Sequence, residues 1–419
     1  MRAKLSDEIL TSADGAEMAS ILRACVHCGF CNATCPTYQI QGDELDGPRG
    51  RIYLIKAMLE GAAVGQATQL HLDRCLTCRA CETTCPSGVR YGRLIELARP
   101  RIEASVRRGP WARFKRWLIR CIVPHPQRIA VLLSVARIFK PLYPSALAEL
   151  VPAKAAVAVE PKVRDRARKM ILLDGCVQRV AAPGINAAAR EVFDRLGLQL
   201  LSLPRSGCCG AVSYHLGEIS EAQRYARRNI DAWSVALNAG AEAVIATSTG
   251  CAIMLKEYGE LLGDDPVYAV RARRVAALVR DPCEVIDPTA LARNYRVSSR
   301  PRIAFHAPCT MQHGLGTTEY AEACLRAVGF ELTTVVDAHL CCGSAGTYSL
   351  LQPRLANKLL DQKLVALHSG APVAIASANI GCLMHLQRRA GPPVLHWLEL
   401  IRAHYVGRED QPALATGAL

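Results

Sequence analysis

Aromatic residues are scarce, at 5% of 419 positions. Single-stranded nucleic-acid grooves interleave stacking rings with cations, so a nucleic-acid partner is not expected. No uninterrupted apolar stretch reaches the 18 or more residues of a spanning helix. The longest, Ile129 to Phe139, has 11 residues and contains Arg137. The N-terminal Met1-Arg-Ala-Lys-Leu-Ser-Asp-Glu is charged, has no apolar run behind it, and does not read as a secretory leader. No P-loop is present, and no Gly-x-Gly-x-x-Gly follows a strand; Gly314-Leu-Gly316 lacks the third glycine. No FAD or NAD site is therefore expected in this chain. Acids are also in deficit: 37 Asp and Glu face 51 Lys and Arg, for a net charge of +14.

Cysteine is abundant, at 19 residues, an odd number that cannot pair completely within the chain. A protein this long needs no disulfide staples. With no leader the chain is expected to be cytoplasmic, where clustered cysteines point to metal or redox chemistry. Eight of them form two matching runs. The first is Cys25-Val-His-Cys28-Gly-Phe-Cys31-Asn-Ala-Thr-Cys35-Pro36, the second Cys75-Leu-Thr-Cys78-Arg-Ala-Cys81-Glu-Thr-Thr-Cys85-Pro86, offset by 50 residues at every cysteine.

This is the spacing of two-cluster [4Fe-4S] proteins, in which three thiolates grip one cubane and the proline-backed fourth reaches the other. Cluster A is assigned to Cys25, Cys28, Cys31 and Cys85, and cluster B to Cys75, Cys78, Cys81 and Cys35. Structural zinc sites show two Cys-x-x-Cys pairs across a spacer instead. Between the runs, Pro48-Arg49-Gly50-Arg51-Ile-Tyr-Leu-Ile reads as a helix packing the two clusters together, with Arg49 and Arg51 solvated. The competing reading has these arginines tuning a cluster by charge. His27, between two ligands, is expected beside the cluster or exposed.

The C-terminal part is duplicated. Cys176, Cys208-Cys209-Gly210 and Cys251 are matched by Cys309, Cys341-Cys342-Gly343 and Cys382, the first interval being 32 residues in both. The apolar runs Met170-Ile-Leu-Leu-Asp, Ala243-Val-Ile-Ala-Thr, Ile303-Ala-Phe-His and Val373-Ala-Ile-Ala-Ser read as buried parallel strands. Segments 187–196 and 319–328 have helical periodicity and end at Gly197 and Gly329. Strand–helix–strand order implies α/β units with cysteines at the strand ends. Cys176, Cys208, Cys209, Cys251, Cys309, Cys341, Cys342 and Cys382 are thus candidates for a third metal centre. Cys121, Cys283 and Cys324 match nothing and are read as ordinary packing residues.

The expected architecture is multidomain: an α-helical two-cluster ferredoxin-like domain (1–105), a basic helical connector and linker (106–165), and two α/β repeats (166–297 and 298–419). From Arg90 to Lys140, 13 basic residues face two acids, and proline breaks the stretch into short helices. Trp111, Phe114 and Leu118 share one helical face, extended by Trp117, while Arg113, Lys115, Arg116 and Arg120 spread around the rest. That pattern suits an interfacial helix on anionic lipid. It equally suits a face packed on a partner subunit or on the α/β repeats.

Two ferredoxin-type runs followed by two Cys-Cys-Gly (CCG) domains resemble the iron–sulfur subunit of bacterial glycolate oxidase (glycolate dehydrogenase) over nearly the whole chain. The architecture is also similar to that of the iron–sulfur subunit of anaerobic glycerol-3-phosphate dehydrogenase, and the CCG domains resemble those of heterodisulfide reductase. That last relative closes each domain with Cys-x-x-Cys; here Cys251-Ala-Ile-Met254 and Cys382-Leu-Met-His385 lack the second cysteine. The resemblance implies an electron-transfer subunit of a flavin-dependent 2-hydroxy-acid dehydrogenase, glycolate being the expected substrate. Hydride abstraction then belongs to FAD on partner glycolate oxidase subunits, and no catalytic residue is expected here. A quinone or other membrane acceptor would take the electrons, with the protein peripheral on the inner face of the cytoplasmic membrane.

Overall fold

A computed structural model of the chain describes residues 3–144, 148–154, 161, 164–297 and 299–405. Of the stretch read as a linker, 155–160 lie outside the described residues, as does the second repeat from 406 onward.

The N-terminal part is helical. Helices Ala13–Ala24, Pro48–Leu59, Gln66–Asp73 and Tyr91–Ser105 bury Met18, Leu22, Ile55, Leu94 and Ile95 in one core that also takes in Cys25, Cys75 and Cys81. Two proline-started helices follow, Pro110–Ile122 and Pro126–Phe139. Proline at the first helical position costs no hydrogen bond, because that N–H has no partner in any helix. Among the described residues no single helix is long and apolar enough to cross a membrane; this pair passes that test only jointly, across a 111° bend.

The two α/β repeats follow. In the first, β1 (Arg168–Leu172), β2 (Leu198–Ser202), β3 (Val244–Ile245) and β4 (Val279–Arg280) form a parallel sheet in the order β2-β1-β3-β4. In the second, β5 (Arg302–His306), β6 (Glu331–Leu332), β7 (Ala374–Ser377) and β8 (Val394–His396) repeat it as β6-β5-β7-β8. The central strands are the four apolar runs, as continuous burial on both faces requires. The helices Gly184–Arg195 and Thr318–Val328 pass into Gly197 and Gly329 at φ 80° and 111°, left-handed values that glycine adopts without strain.

The repeats are interlocked. Helix Trp397–Ala403, at the end of repeat two, packs on helix Gly184–Arg195 of repeat one. Helix Pro288–Asn294, at the end of repeat one, packs on Thr318–Val328 of repeat two. One hydrophobic core therefore holds Val192 and Phe193 together with Trp397, Leu325 and Cys324. Hydrogen bonds seal the contact: the Thr249 N–H donates to the Ala378 carbonyl (3.2 Å) and the His396 side-chain Nε2 donates to the Thr247 carbonyl (2.9 Å).

Candidate metal centres

The two ferredoxin-type runs fold alike. Each leaves a helix at or just before its first cysteine and turns left-handed twice, at His27 and Gly29 in one run and at Thr77 and Arg79 in the other (φ 61°, 85°, 54° and 63°). A short helix carrying the third cysteine follows, Phe30–Ala33 or Ala80–Thr83. The left-handed residues curl the peptide around the thiols; the Thr77 N–H donates to Cys75 Sγ at 3.4 Å. His27 thus serves as a turn residue, and burial and the nearby Arg49 charge hold its ring below the usual histidine range. After Cys35 the chain enters helix Pro36–Gln41, whereas after Cys85 it makes only a turn.

The sulfurs gather across the runs. Burial pushes the Cys31 thiol up to about 11, and the neighbours whose charge adds to this are Cys25, Cys28 and Cys85. Cys81 is raised first by burial, then by Cys78, Cys75 and Cys35. Each fourth cysteine therefore lies with the first three of the other run. Four thiols held together, most of them at least half-buried, favour binding a cation-rich cluster, which removes their protons and their mutual repulsion.

Arg51 supplies a further charge, and here the solvated reading fails. Arg49 is partly exposed and pairs with Glu44 at 2.6 Å, but Arg51 is only 1% exposed. Its guanidinium lies 4.0 Å from Cys35 Sγ and also meets Asp46 (3.5 Å) and the His71 carbonyl (2.7 Å). Burial pushes the Cys75 thiol up, but Arg51, Arg99, the Tyr91 hydroxyl and the Thr77 N–H more than offset it and leave it lowered.

The repeat cysteines form two further groups at the strand ends. In repeat one, Cys209 and Cys251 sulfurs are 3.5 Å apart, and Cys208 interacts with Cys176 and Cys209. In repeat two, Cys309 and Cys341 sulfurs are 3.9 Å apart, and Cys342 interacts with Cys341 and Cys382. Gly210 and Gly343 turn left-handed after each Cys-Cys pair (φ 92° and 88°), and their N–H groups donate to Cys208 and Cys341 at 3.4 Å. A Cβ on Gly343 would stand 2.6 Å from the Ala356 carbonyl, which explains the glycine.

The groups meet. Cys78 lies half-buried beside Cys309 and Cys341, packed against a cluster of Leu76, Tyr348 and Leu359. A cavity of about 470 Å³ joins Cys78, the repeat cysteines other than Cys342, and an aliphatic wall made of Ile122, Ile129 and Leu132 from the bent helix pair. The Tyr214 hydroxyl of repeat one donates to Glu96 (3.2 Å), whose neighbour Arg79 also pairs with Glu257. Cys283 and Cys324 lie in the shared hydrophobic core, and Cys121 is half-buried.

Several residues at these sites went unnoticed in the sequence. His306 ends β5, and a ring nitrogen of it lies within 4.8 Å of both Cys342 and Cys382 sulfurs. Burial, reinforced by Lys363, keeps its pKa down at about 3, so the ring is neutral. Lys363 is itself buried and donates to the carbonyls of Asp337 and Ala338. The one sequence cue was a histidine closing an apolar run that closes on leucine in the other repeat.

Comparison with known proteins agrees with this layout. Residues 21–89 match the 4Fe-4S dicluster domain model, and 170–256 and 303–387 match the cysteine-rich domain model. The chain is 47% identical to the glycolate oxidase iron-sulfur subunit of Escherichia coli (strain K12), over 96% of this chain and 98% of that one. It is 29% identical to the "Probable glycolate oxidase iron-sulfur subunit" of Bacillus subtilis (strain 168), over 87% and 88% of the two chains. Lactate utilization protein A of Bacillus licheniformis matches at 28% identity over 53% of this chain and 92% of the other. Among solved structures, a hypothetical protein from Helicobacter pylori shares the fold, with TM-score 0.51 and 10% identity over 96% of this chain and 74% of that one.

Proposed function

The chain belongs to the family of glycolate oxidase iron–sulfur subunits, and from that premise we propose that its thiol groups hold a relay of two centres in the helical domain and a third in the repeats, carrying electrons from a flavin subunit to a membrane acceptor. The chain is an electron carrier in an oxidoreductase complex with flavin-containing subunits. When bound, iron–sulfur clusters supply the one-electron steps between a two-electron flavin and the acceptor. The residues proposed to hold them are Cys25, Cys28, Cys31 and Cys85; Cys75, Cys78, Cys81 and Cys35; and the thiols of the repeats. Arg51, buried beside Cys35, stabilises added negative charge at the second of these groups. The observation that carries the relay is the approach of Cys78 of the helical domain to Cys309 and Cys341 of repeat two, on the wall of one shared cavity.

The acceptor side rests on the bent helix pair. Trp111, Phe114, Trp117, Val131 and Ile138 are exposed on it, while Ile122, Ile129 and Leu132 wall the cavity that reaches the thiols. A lipophilic acceptor such as a quinone would enter from the bilayer along that wall, and aromatic and cationic side chains suit the headgroup layer. Trp111, Phe114, Trp117 and Leu118 stay exposed on Pro110–Ile122, which supports a contact of that face with a bilayer or a partner subunit.

Iron analysis tests the relay. The anaerobically purified complex should hold about eight iron atoms in the helical domain and about four more in the repeats. Cys28→Ser should lose about four, and Cys309→Ser should lose iron from the repeats while leaving the other two centres intact. Stoichiometric zinc, or full iron retained in Cys309→Ser together with Cys208→Ser, would overturn the ligand assignment.

A further inference from the structure

We infer that His306 is a metal ligand, and that His306, Cys342 and Cys382 hold one iron of a mixed imidazole–thiolate iron–sulfur centre in repeat two. This rests on the proposed centre in the repeats and goes beyond it by making the two repeats chemically different.

The geometry comes first. A ring nitrogen of His306 and the sulfurs of Cys342 and Cys382 all lie within 4.8 Å of one another, and all three residues are buried. Donors around one tetrahedral metal, with bonds of about 2.0 to 2.3 Å, stand roughly 3.5 Å apart. Donors all within 4.8 Å of one another are near that spacing.

The ring is also held. His306 and Ser377 are register partners at the ends of β5 and β7, and His306 Nδ1 lies 3.1 Å from Ser377 Oγ. That contact restrains the imidazole plane, with Nε2 taken as the ligand, the usual arrangement for a metal-bound histidine whose other nitrogen is hydrogen-bonded.

The duplication supplies a control. Three residues before the first cysteine of each repeat stand His306 and Leu173; five before the last stand Ser377 and Ala246. The same buried corner is filled by an apolar couple in repeat one and by a polar, mutually hydrogen-bonded couple in repeat two. Packing alone is satisfied by leucine and alanine, so the polar couple needs another reason, and a donor aimed at two thiols provides one. His385, which occupies the position of the relative's second cysteine, is not that donor. Its Nε2 is 3.3 Å from the Ala356 carbonyl and its Nδ1 faces Arg388.

A neutral imidazole in place of a thiolate raises the net charge of the centre by one, and buried Lys363 adds a cation nearby. Both make the centre easier to reduce. Repeat two would then be an electron sink beside Cys78, while repeat one keeps an all-thiol set.

The test is pulsed electron paramagnetic resonance on the reduced whole complex, prepared with ordinary and with 15N-labelled histidine. We expect one centre, distinct from the two in the helical domain, to show coupling to a directly bound nitrogen that changes on labelling. The coupling should vanish in His306→Leu and persist in His385→Leu. Ser377→Ala should keep the iron but shift the midpoint potential of that centre alone. If His306→Leu does not fold, the labelled wild-type spectrum still decides. Iron above eight with no bound histidine nitrogen would overturn this inference and leave the third centre standing. Iron of only eight would remove both, and a zinc ion in repeat two would also refute it.

Discussion

Glu96 shows how a single buried side chain can report on the joint between the helical domain and repeat one. Burial and the adjacent Glu257 carboxylate push its acid up to about 8, against the pull of Arg79, Arg99 and the Tyr214 hydroxyl; His215 also faces it. The folded value stands above the unfolded one, near 4.5. Its contribution to stability is therefore complete below about pH 4.5 and is lost as pH rises towards 8. In that window the native state keeps a proton that the unfolded chain releases, a slope of up to about 1.4 kcal/mol per pH unit. Glu96→Gln keeps an acceptor for Tyr214 and has no proton to lose. Its unfolding midpoint should gain on wild type between about pH 6 and pH 8 under anaerobic conditions; parallel slopes would refute this. This acid was not legible in the sequence, because burial across a domain joint leaves no local pattern, and for Arg51 the sequence offered the charge-tuning role only as the competing reading. Arg51 did carry one clue. It stands two residues from Arg49, and residues two apart on a helix do not share a face, so the two arginines could not both be solvated on one side. The cysteine groups were legible because thiol spacing states the ligand reach directly.

At the scale of elements, the four central strands and the two repeat helices could be read from apolar runs and glycine stops. The edge strands could not. β4 and β6 are two residues long, and Val279-Arg280 and Glu331-Leu332 carry no periodicity to find. The helix Pro110–Ile122 was legible as amphipathic, but its charges divide in a way that only tertiary contacts reveal. Arg116 pairs with Asp73 (2.9 Å), and Arg120 pairs with Glu218 and Glu221 (both 2.9 Å). These two anchor the helix to the body, leaving Arg113 and Lys115 exposed beside Trp111 and Trp117. Flotation of the intact complex with anionic vesicles should be salt-sensitive. Arg113→Gln with Lys115→Gln should weaken it by about 2 kcal/mol, roughly 30-fold, at about 1 kcal/mol per cation. Absence of flotation at low salt, with complex assembly broken by Trp111→Ala, would assign the face to a partner subunit instead.

For the whole molecule, the interlocked repeats matter most. Trp397 is fully buried, yet the helix it starts covers an element of the other repeat. Trp397→Ala should cost about 3 to 5 kcal/mol through the lost burial and the cavity left behind. Because the core is shared, that cost should appear as faster hydrogen exchange in Gly184–Arg195 as well as in repeat two. A loss of protection confined to residues beyond 298 would show that the repeats are energetically separate. The match of thiol spacing revealed the duplication; nothing in either repeat alone revealed the exchange of helices, since each exchanged helix reads as an ordinary amphipathic segment wherever it packs.

That exchange sets a timetable for synthesis. The face of Gly184–Arg195 leaves the ribosome about 200 residues before the helix that covers it. At roughly 5–20 residues per second, repeat one waits roughly 10 to 40 seconds with an apolar surface bare. The helical domain, already emerged and closed around its own thiols, has no such wait. Metal loading of this chain should therefore run in order, from the first centres to the last, with the nascent repeats in the care of chaperones until translation nears its end.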